Sequence, residues 1–113
     1  MWLINCRTGD VIAEQVEMAG SFRGRVAGLI GKKTVPSGFA LVLIPCRSIH
    51  TFFMRFDIDV IFLDRQGIVV HFIPNMPPYR IGPLVRGAYM VVELPGGAAG
   101  SRVFPGDQLN IRE

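Results

Sequence analysis

Glycine and proline cut this chain into short apolar runs, and that punctuation limits what it can fold into more than any other feature. Thirteen glycines and eight prolines are spread through 113 residues, with β-branched and aromatic residues between them. Such a rhythm predicts many short strands rather than long helices. WLIN (2–5) and VIAEQVEMA (11–19) flank a turn at Thr8-Gly9-Asp10 and predict an opening hairpin. FALVLI (39–44) predicts a buried strand closed by Pro45. VIFL (60–63) and IVVHFI (68–73) flank Asp64-Arg65-Gln66-Gly67, where Gly67 is free to take positive φ and close a second hairpin. AYMVVEL (88–94) and GDQLNI (106–111) supply the last strands. IPNMPPYRIGP (73–83) carries four prolines and predicts a rigid, irregular loop; PGGAAGSR (95–102) predicts a tight turn.

One segment has helical periodicity. Ser21 is a good N-cap, Phe22, Val26, Leu29 and Ile30 make an apolar stripe, and Gly31 with two lysines suits a C-terminus. Adjacent hairpins without βαβ alternation predict a mainly β fold. The expected architecture is a closed or folded-over antiparallel barrel or sandwich of about seven or eight strands, plugged by that one short helix. Residues 1–113 are expected to form a single domain.

Composition narrows the function classes. Half of the residues are hydrophobic and 19% are charged, which suits a packed core that needs neither disulfide nor metal. The net charge is +3 and the basic residues, ten of them arginine, are scattered rather than gathered in a stripe, so nucleic acid is not the expected partner. Cys6 and Cys46 lie forty positions apart without a second metal-ligand pair nearby, and two reduced thiols are expected. Cys46, His50 and Met54 would share a soft-metal face only on a helix, and the adjacent Phe52 and Phe53 favour packing. No secretory leader opens the chain and no apolar run is long enough to span a bilayer, so a cytoplasmic protein is expected unless the chain is a mature form. No cofactor motif is found, and none is expected.

The chemistry concentrates in SIHTFFMRFDIDVIFLD (48–64). Read as extended chain, one face carries His50, Phe52, Met54 and Phe56, and the other carries Phe53, Arg55, Asp57 and Asp59. Arg55 beside Asp57 suggests an ion pair. Asp59 enters a run that is apolar on both faces, so its carboxyl must find donors or serve a site. With a three-residue hairpin loop, Ile61 would pair with His71, which would then lie diagonal to Asp59 on the same face. An Asp–His couple of that kind is a basis for proton transfer; a one-residue slip would destroy it. Glu93 alternates in phase with Tyr89 and Val91 and predicts a polar residue at a strand's rim.

The order G-L-x-G (28–31), H-T-F-F-M-R (50–55), D-V-I-F-L-D-x-x-G (59–67), E-L-P-G-G (93–97) and G-D (106–107) resembles the DUF192 family over residues 20–112. The resemblance implies a compact β-rich domain and brings no catalytic residues with it. Many relatives look exported, so the resemblance implies no compartment for this chain. The chain departs from the family pattern at Phe56-Asp57, where a proline and small polar residues are common, which shifts weight from Asp57 to Asp59.

Three functions fit these residues. The first is a binding module for an anionic or sugar-like small molecule or a short peptide, using His50, Phe53, Arg55, Asp59, Tyr79, Arg80 and Glu93. The second is a hydrolase or lyase working through Asp59 with His50 or His71. The third is a non-catalytic interaction scaffold. The binding module leads, because no nucleophile elbow, metal cage or phosphate loop accompanies the carboxylates.

Overall fold

In a computed structural model that describes residues 1–20, 29 and 32–113, the apolar runs form eight strands. They are β1 (Trp2–Asn5), β2 (Val11–Ala13), β3 (Gln15–Ala19), β4 (Phe39–Leu43), β5 (Ile58–Leu63), β6 (Val69–Met76), β7 (Met90–Pro95) and β8 (Leu109–Arg112). The helix expected over 21–31 lies outside the described residues, apart from Leu29. Among the described residues no helix is long and apolar enough to cross a membrane.

The strands divide between two sheets, ordered β2-β1-β8 and β3-β4-β7-β5-β6. The mainly β expectation holds, while the closed barrel does not. Among the described residues the bridge from Ile68 to Gln108 joins the sheets at one corner, and the Val16 amide of β3 donates to the Met1 carbonyl beside β1 at another. The sheets are also not wholly antiparallel, because β3 runs parallel to β4. The reason is visible at Glu14. The run 11–19 does not continue as one strand; the Glu14 and Gln15 amides both donate to the Gly38 carbonyl, and the chain passes from the small sheet to the large one there. The opening hairpin itself forms as expected, with β1 antiparallel to β2.

The interior of the large sheet is buried on both faces, as the unbroken burial of β4 and β5 shows, while the edge strands β3 and β6 are partly exposed. Ala40, Val42, Ile61, Leu63, Val92 and Leu94 pack with Leu3, Ile12 and Leu109 of the small sheet. The alternate residues Phe39, Leu41, Leu43, Val60, Phe62 and Val91 form a second core with Leu29, Val35, Met54, Met76 and Ala88. Sheet against sheet closes the first face; irregular segments close the second. Period-2 alternation thus separates two apolar cores rather than core from solvent.

Two β-bulges shape the β5–β6 hairpin. The Asp64 amide donates to the Ile68 carbonyl, so the three-residue loop is present. Leu63 pairs with Val69, but Phe62 pairs with His71, leaving half-exposed Val70 as an extra residue. The second irregularity falls between the Val60–Ile73 and Ile58–Met76 pairs, where Asn75 takes φ of 48°. Strand β6 therefore continues through Pro74, which was expected to lie in loop.

Gly67 joins this hairpin to the small sheet. Its φ is 82°, its carbonyl accepts from the Leu109 amide, and a Cβ there would lie 2.5 Å from the Leu109 carbonyl oxygen. A side chain would meet both left-handed strain and a backbone atom that cannot move without breaking the inter-sheet bridge. Gly67→Ala is expected to lower stability by about 2 kcal/mol or more, read from urea denaturation midpoints. A change under about 0.5 kcal/mol would show that the corner is not closely packed.

Candidate functional site

The segment 48–57 is not the extended strand its alternation suggests. The Met54 amide donates to the Thr51 carbonyl, Phe53 sits at φ of 64°, and β5 starts only at Ile58. The face assignments predicted for His50 to Asp57 therefore do not apply. Nor do Cys46, His50 and Met54 line a helix, and no disulfide joins Cys6 to Cys46. Arg55 and Asp57 are both exposed and make no ion pair; among the described residues the salt bridge is Arg7 to Asp107, at 2.6 Å.

Asp59 is fully buried on the face that packs against the small sheet. Its Oδ1 accepts from the amides of Asn75 at 2.8 Å and Gly97 at 2.9 Å, and its Oδ2 accepts from Ala99 at 2.9 Å. The second bulge delivers the Asn75 amide, and the PGGAAGS turn delivers the other two. All three donors are backbone groups, so the carboxylate binds the end of β6 and the β7–β8 connection to the central strand. The Asp59–His71 couple is absent. Bulging at Val70 moves His71 into register with Phe62, where the rings lie 5.6 Å apart, on the face opposite Asp59.

Glu93 pairs with Val60 on one side and Leu41 on the other, so it points into the second core. It is 5% exposed, and its carboxyl makes no hydrogen bond or ion pair among the described residues. Asp59 and Glu93 thus project from opposite faces of one sheet. They do not converge on one site.

His50, Phe53, Tyr79 and Arg80 do come together. Residues 47–51 and 79–85 run antiparallel as a ribbon over the second core, through Thr51 amide to Arg80 carbonyl, Gly82 amide to Ile49 carbonyl and Val85 amide to Arg47 carbonyl. Thr51, which the sequence reading passed over, is its clamp. Its Oγ1 donates to the Pro77 carbonyl at 2.6 Å and accepts from the Arg80 amide at 2.8 Å, while its carbonyl accepts from the Tyr79 amide. A signal existed, because a loop rich in proline has few amides of its own and its carbonyls need donors from elsewhere.

The clamp presents aromatic rings outward. Phe53 is 66% exposed and Tyr79 57%, with ring centroids 5.9 Å apart, edge to face. Phe52 lies 6.4 Å from Tyr79 and 5.3 Å from the His50 imidazole, whose Nδ1 accepts the Phe52 amide. Tyr79 takes φ of 62°, so both exposed rings stand on left-handed backbone that bulky residues rarely adopt. Ile81 and Leu84 of the following chain are exposed as well, and so are Arg55 and Arg80.

Two measurements test the buried carboxyls. Asp59→Ala strands three backbone donors and is expected to cost about 3 kcal/mol or more; a near-neutral change in denaturation midpoint would show that the turn does not depend on them. Burial alone raises the Glu93 carboxyl from 4.5 to about 7. The folded state then holds a proton that the unfolded chain has released, so stability is greatest at low pH and declines as pH rises from about 4.5 toward 7. Between about pH 5 and pH 8 that loss is on the order of 3 kcal/mol, and Glu93→Gln is expected to abolish it. Asp107, held well below the ordinary carboxylate range chiefly by its hydrogen bond from Arg7, stays ionised throughout that window and adds no slope. Equal pH profiles for the two proteins would remove the assignment.

Residues 4–111 match the DUF192 family model, described as an uncharacterized ACR. A UPF0127 protein of Thermococcus sibiricus is 39% identical over 101 residues, covering 84% of this chain and 64% of the relative. Another, of Pyrococcus horikoshii, is 39% identical over 89 residues, covering 74% of each. The chain thus spans slightly under two thirds of the Thermococcus sibiricus relative's length. Among solved structures, a Novosphingobium aromaticivorans protein of unknown function superposes with a TM-score of 0.82 at 20% identity, over 97% of this chain and 82% of that one. That likeness is one of fold. The matched family model and the relatives together make this chain a member of the DUF192 family, the UPF0127 proteins.

Proposed function

We propose that this domain is a binding module for a small ring-bearing or sugar-like ligand with an anionic group, or for a short peptide that presents the same chemistry. The observation that carries the reading is the pair of exposed aromatics, Phe53 and Tyr79, both on left-handed backbone and both tied through Thr51. Strained backbone in a non-glycine residue persists only where the surroundings impose it, and such residues cluster at ligand clamps. An isolated exposed aromatic needs no explanation, but a cluster in which Phe52 and Phe53 both lie beside the Tyr79 ring, and Phe52 beside His50, does. Rigid rings give a ligand stacking area at small entropic cost, and Arg55 and Arg80 would supply charge-assisted hydrogen bonds.

The hydrolase or lyase alternative draws less support. Both Asp59 oxygens are occupied by backbone amides, and His71 lies on the other face of the sheet. His50 is exposed at the aromatic surface, where it fits a contact residue better than half of a buried couple.

Saturation-transfer NMR against monosaccharides, acidic and aromatic amino acids and a short-peptide library tests the proposal. At least one probe is expected to bind, and to bind roughly tenfold more weakly in Phe53→Ala or Tyr79→Ala. Folding stability should change little, since both rings are exposed and alanine keeps the Cβ and so leaves the backbone strain as it is. A panel without a binder, or binding indifferent to both substitutions, would sink the reading.

A further inference from the structure

At the other end of the same ribbon lies a second surface with different chemistry. Three separate segments converge there and each contributes an arginine: Arg47 from the chain after β4, Arg65 from the β5–β6 hairpin, and Arg86 from the turn before β7. They line a cleft of about 260 Å³ together with Asp64, Gly87 and Tyr89.

The convergence is built into the backbone. The Cys46 amide donates to the Tyr89 carbonyl at 2.9 Å, the Tyr89 amide to the Leu63 carbonyl at 2.7 Å, and the Val85 amide to the Arg47 carbonyl at 2.9 Å. A further bond, from the Ala88 amide to the Val85 carbonyl at 3.0 Å, closes the turn that carries Arg86 and Gly87. The amides of those two residues bond to no other group among the described residues. Arg65 is held in place because its guanidinium lies 4.1 Å from the centroid of the Tyr89 ring.

Charge at the cleft is unbalanced. None of the three guanidinium groups has an ion-pair partner among the described residues. Asp64 is the one carboxylate in the lining, and its Oδ1 already accepts from the Gln66 and Ile68 amides, each at 2.9 Å. Three positive groups against one negative leave an excess of two. Like charges held around one cavity repel unless an anion joins them. Arginine forks and unpaired turn amides match an acceptor with several oxygens arranged about one centre. The volume lies at or below the lower end of ordinary small-molecule sites, about 300 Å³, which suits a head group better than a whole nucleotide.

We propose that this cleft binds a small phosphate-type dianion, carried by free phosphate or by a phosphomonoester. Arg47, Arg65 and Arg86 act as its fork donors, and the amides of Arg86 and Gly87 complete the cradle. The site is independent of the aromatic surface and shares no side chain with it.

The test is calorimetric titration of the full chain with inorganic phosphate and with O-phosphoserine, at ionic strength matched with sodium chloride. The expected result is saturable binding of at least one of them. Arg47→Gln and Arg86→Gln should each weaken it roughly tenfold, whereas Arg112→Gln, which removes the same charge from β8, should change it less than about twofold. Binding of the ester alone with the same dependence on the arginines would also support the site and identify the ester as its ligand. Both ions failing to bind, or an equal loss in Arg112→Gln, would overturn the proposal, because attraction to net charge would then explain everything seen. Since the three arginines are exposed, their variants should fold; an unchanged denaturation midpoint without phosphate checks this.

Discussion

The interior strands β4 and β5 of the large sheet have no solvent face, and the rest of the molecule is arranged around that constraint. The sheet's central strands must bury both rows of side chains, one against the small sheet and the other against irregular chain. Any polar group on those strands then needs an internal partner or must give up its charge. Asp59 takes the first course, with three backbone amides brought to it by a bulge and a tight turn. Glu93 takes the second, and its carboxyl is pushed up to about 7 in the apolar surroundings of the second core. Two carboxyls on neighbouring strands thus differ in role because they face opposite sides of one sheet.

The covering layer on the second face explains where recognition chemistry can lie. Backbone crossing an apolar core must satisfy its own polar groups. Residues 47–51 and 79–85 do so by pairing with one another, and the result is an antiparallel ribbon. One end of that ribbon holds aromatic rings on left-handed backbone; the other holds three arginines around a cleft, none in an ion pair among the described residues. Loops on a rigid scaffold are the usual place for binding residues, and here the scaffold's need for a cover ties two such loops together by backbone hydrogen bonds.

Much of the strand content was legible because it follows from local chemistry. FALVLI, VIFL and the Asp64–Gly67 turn form as their residue types predict, and Asp64 and Ile68 do close a three-residue loop. The Asp59–His71 couple was a sound inference from that turn alone. It failed because Val70 bulges and shifts the register by one, and the bulge has no local signature. The stretch from His50 to Asp57 misled for a related reason. Its alternation of polar and apolar residues has the period of a strand, yet the Thr51 clamp and the prolines opposite it impose turns instead.

By itself the sequence determined the class: short apolar runs between glycines and prolines can bury their surface only as strands, and its motif order matches one family. It also marked Asp59 as a group that must be satisfied, since a carboxyl in a doubly apolar run has no local alternative. Only the tertiary structure decided which residues meet. The division into two sheets, the parallel β3–β4 pair, the separation of Asp59 from Glu93 and the gathering of three arginines all depend on contacts between residues far apart in the chain. Register and facing are set by bulges, turns and the packing of both sheet faces at once, and no local window of residues contains those terms.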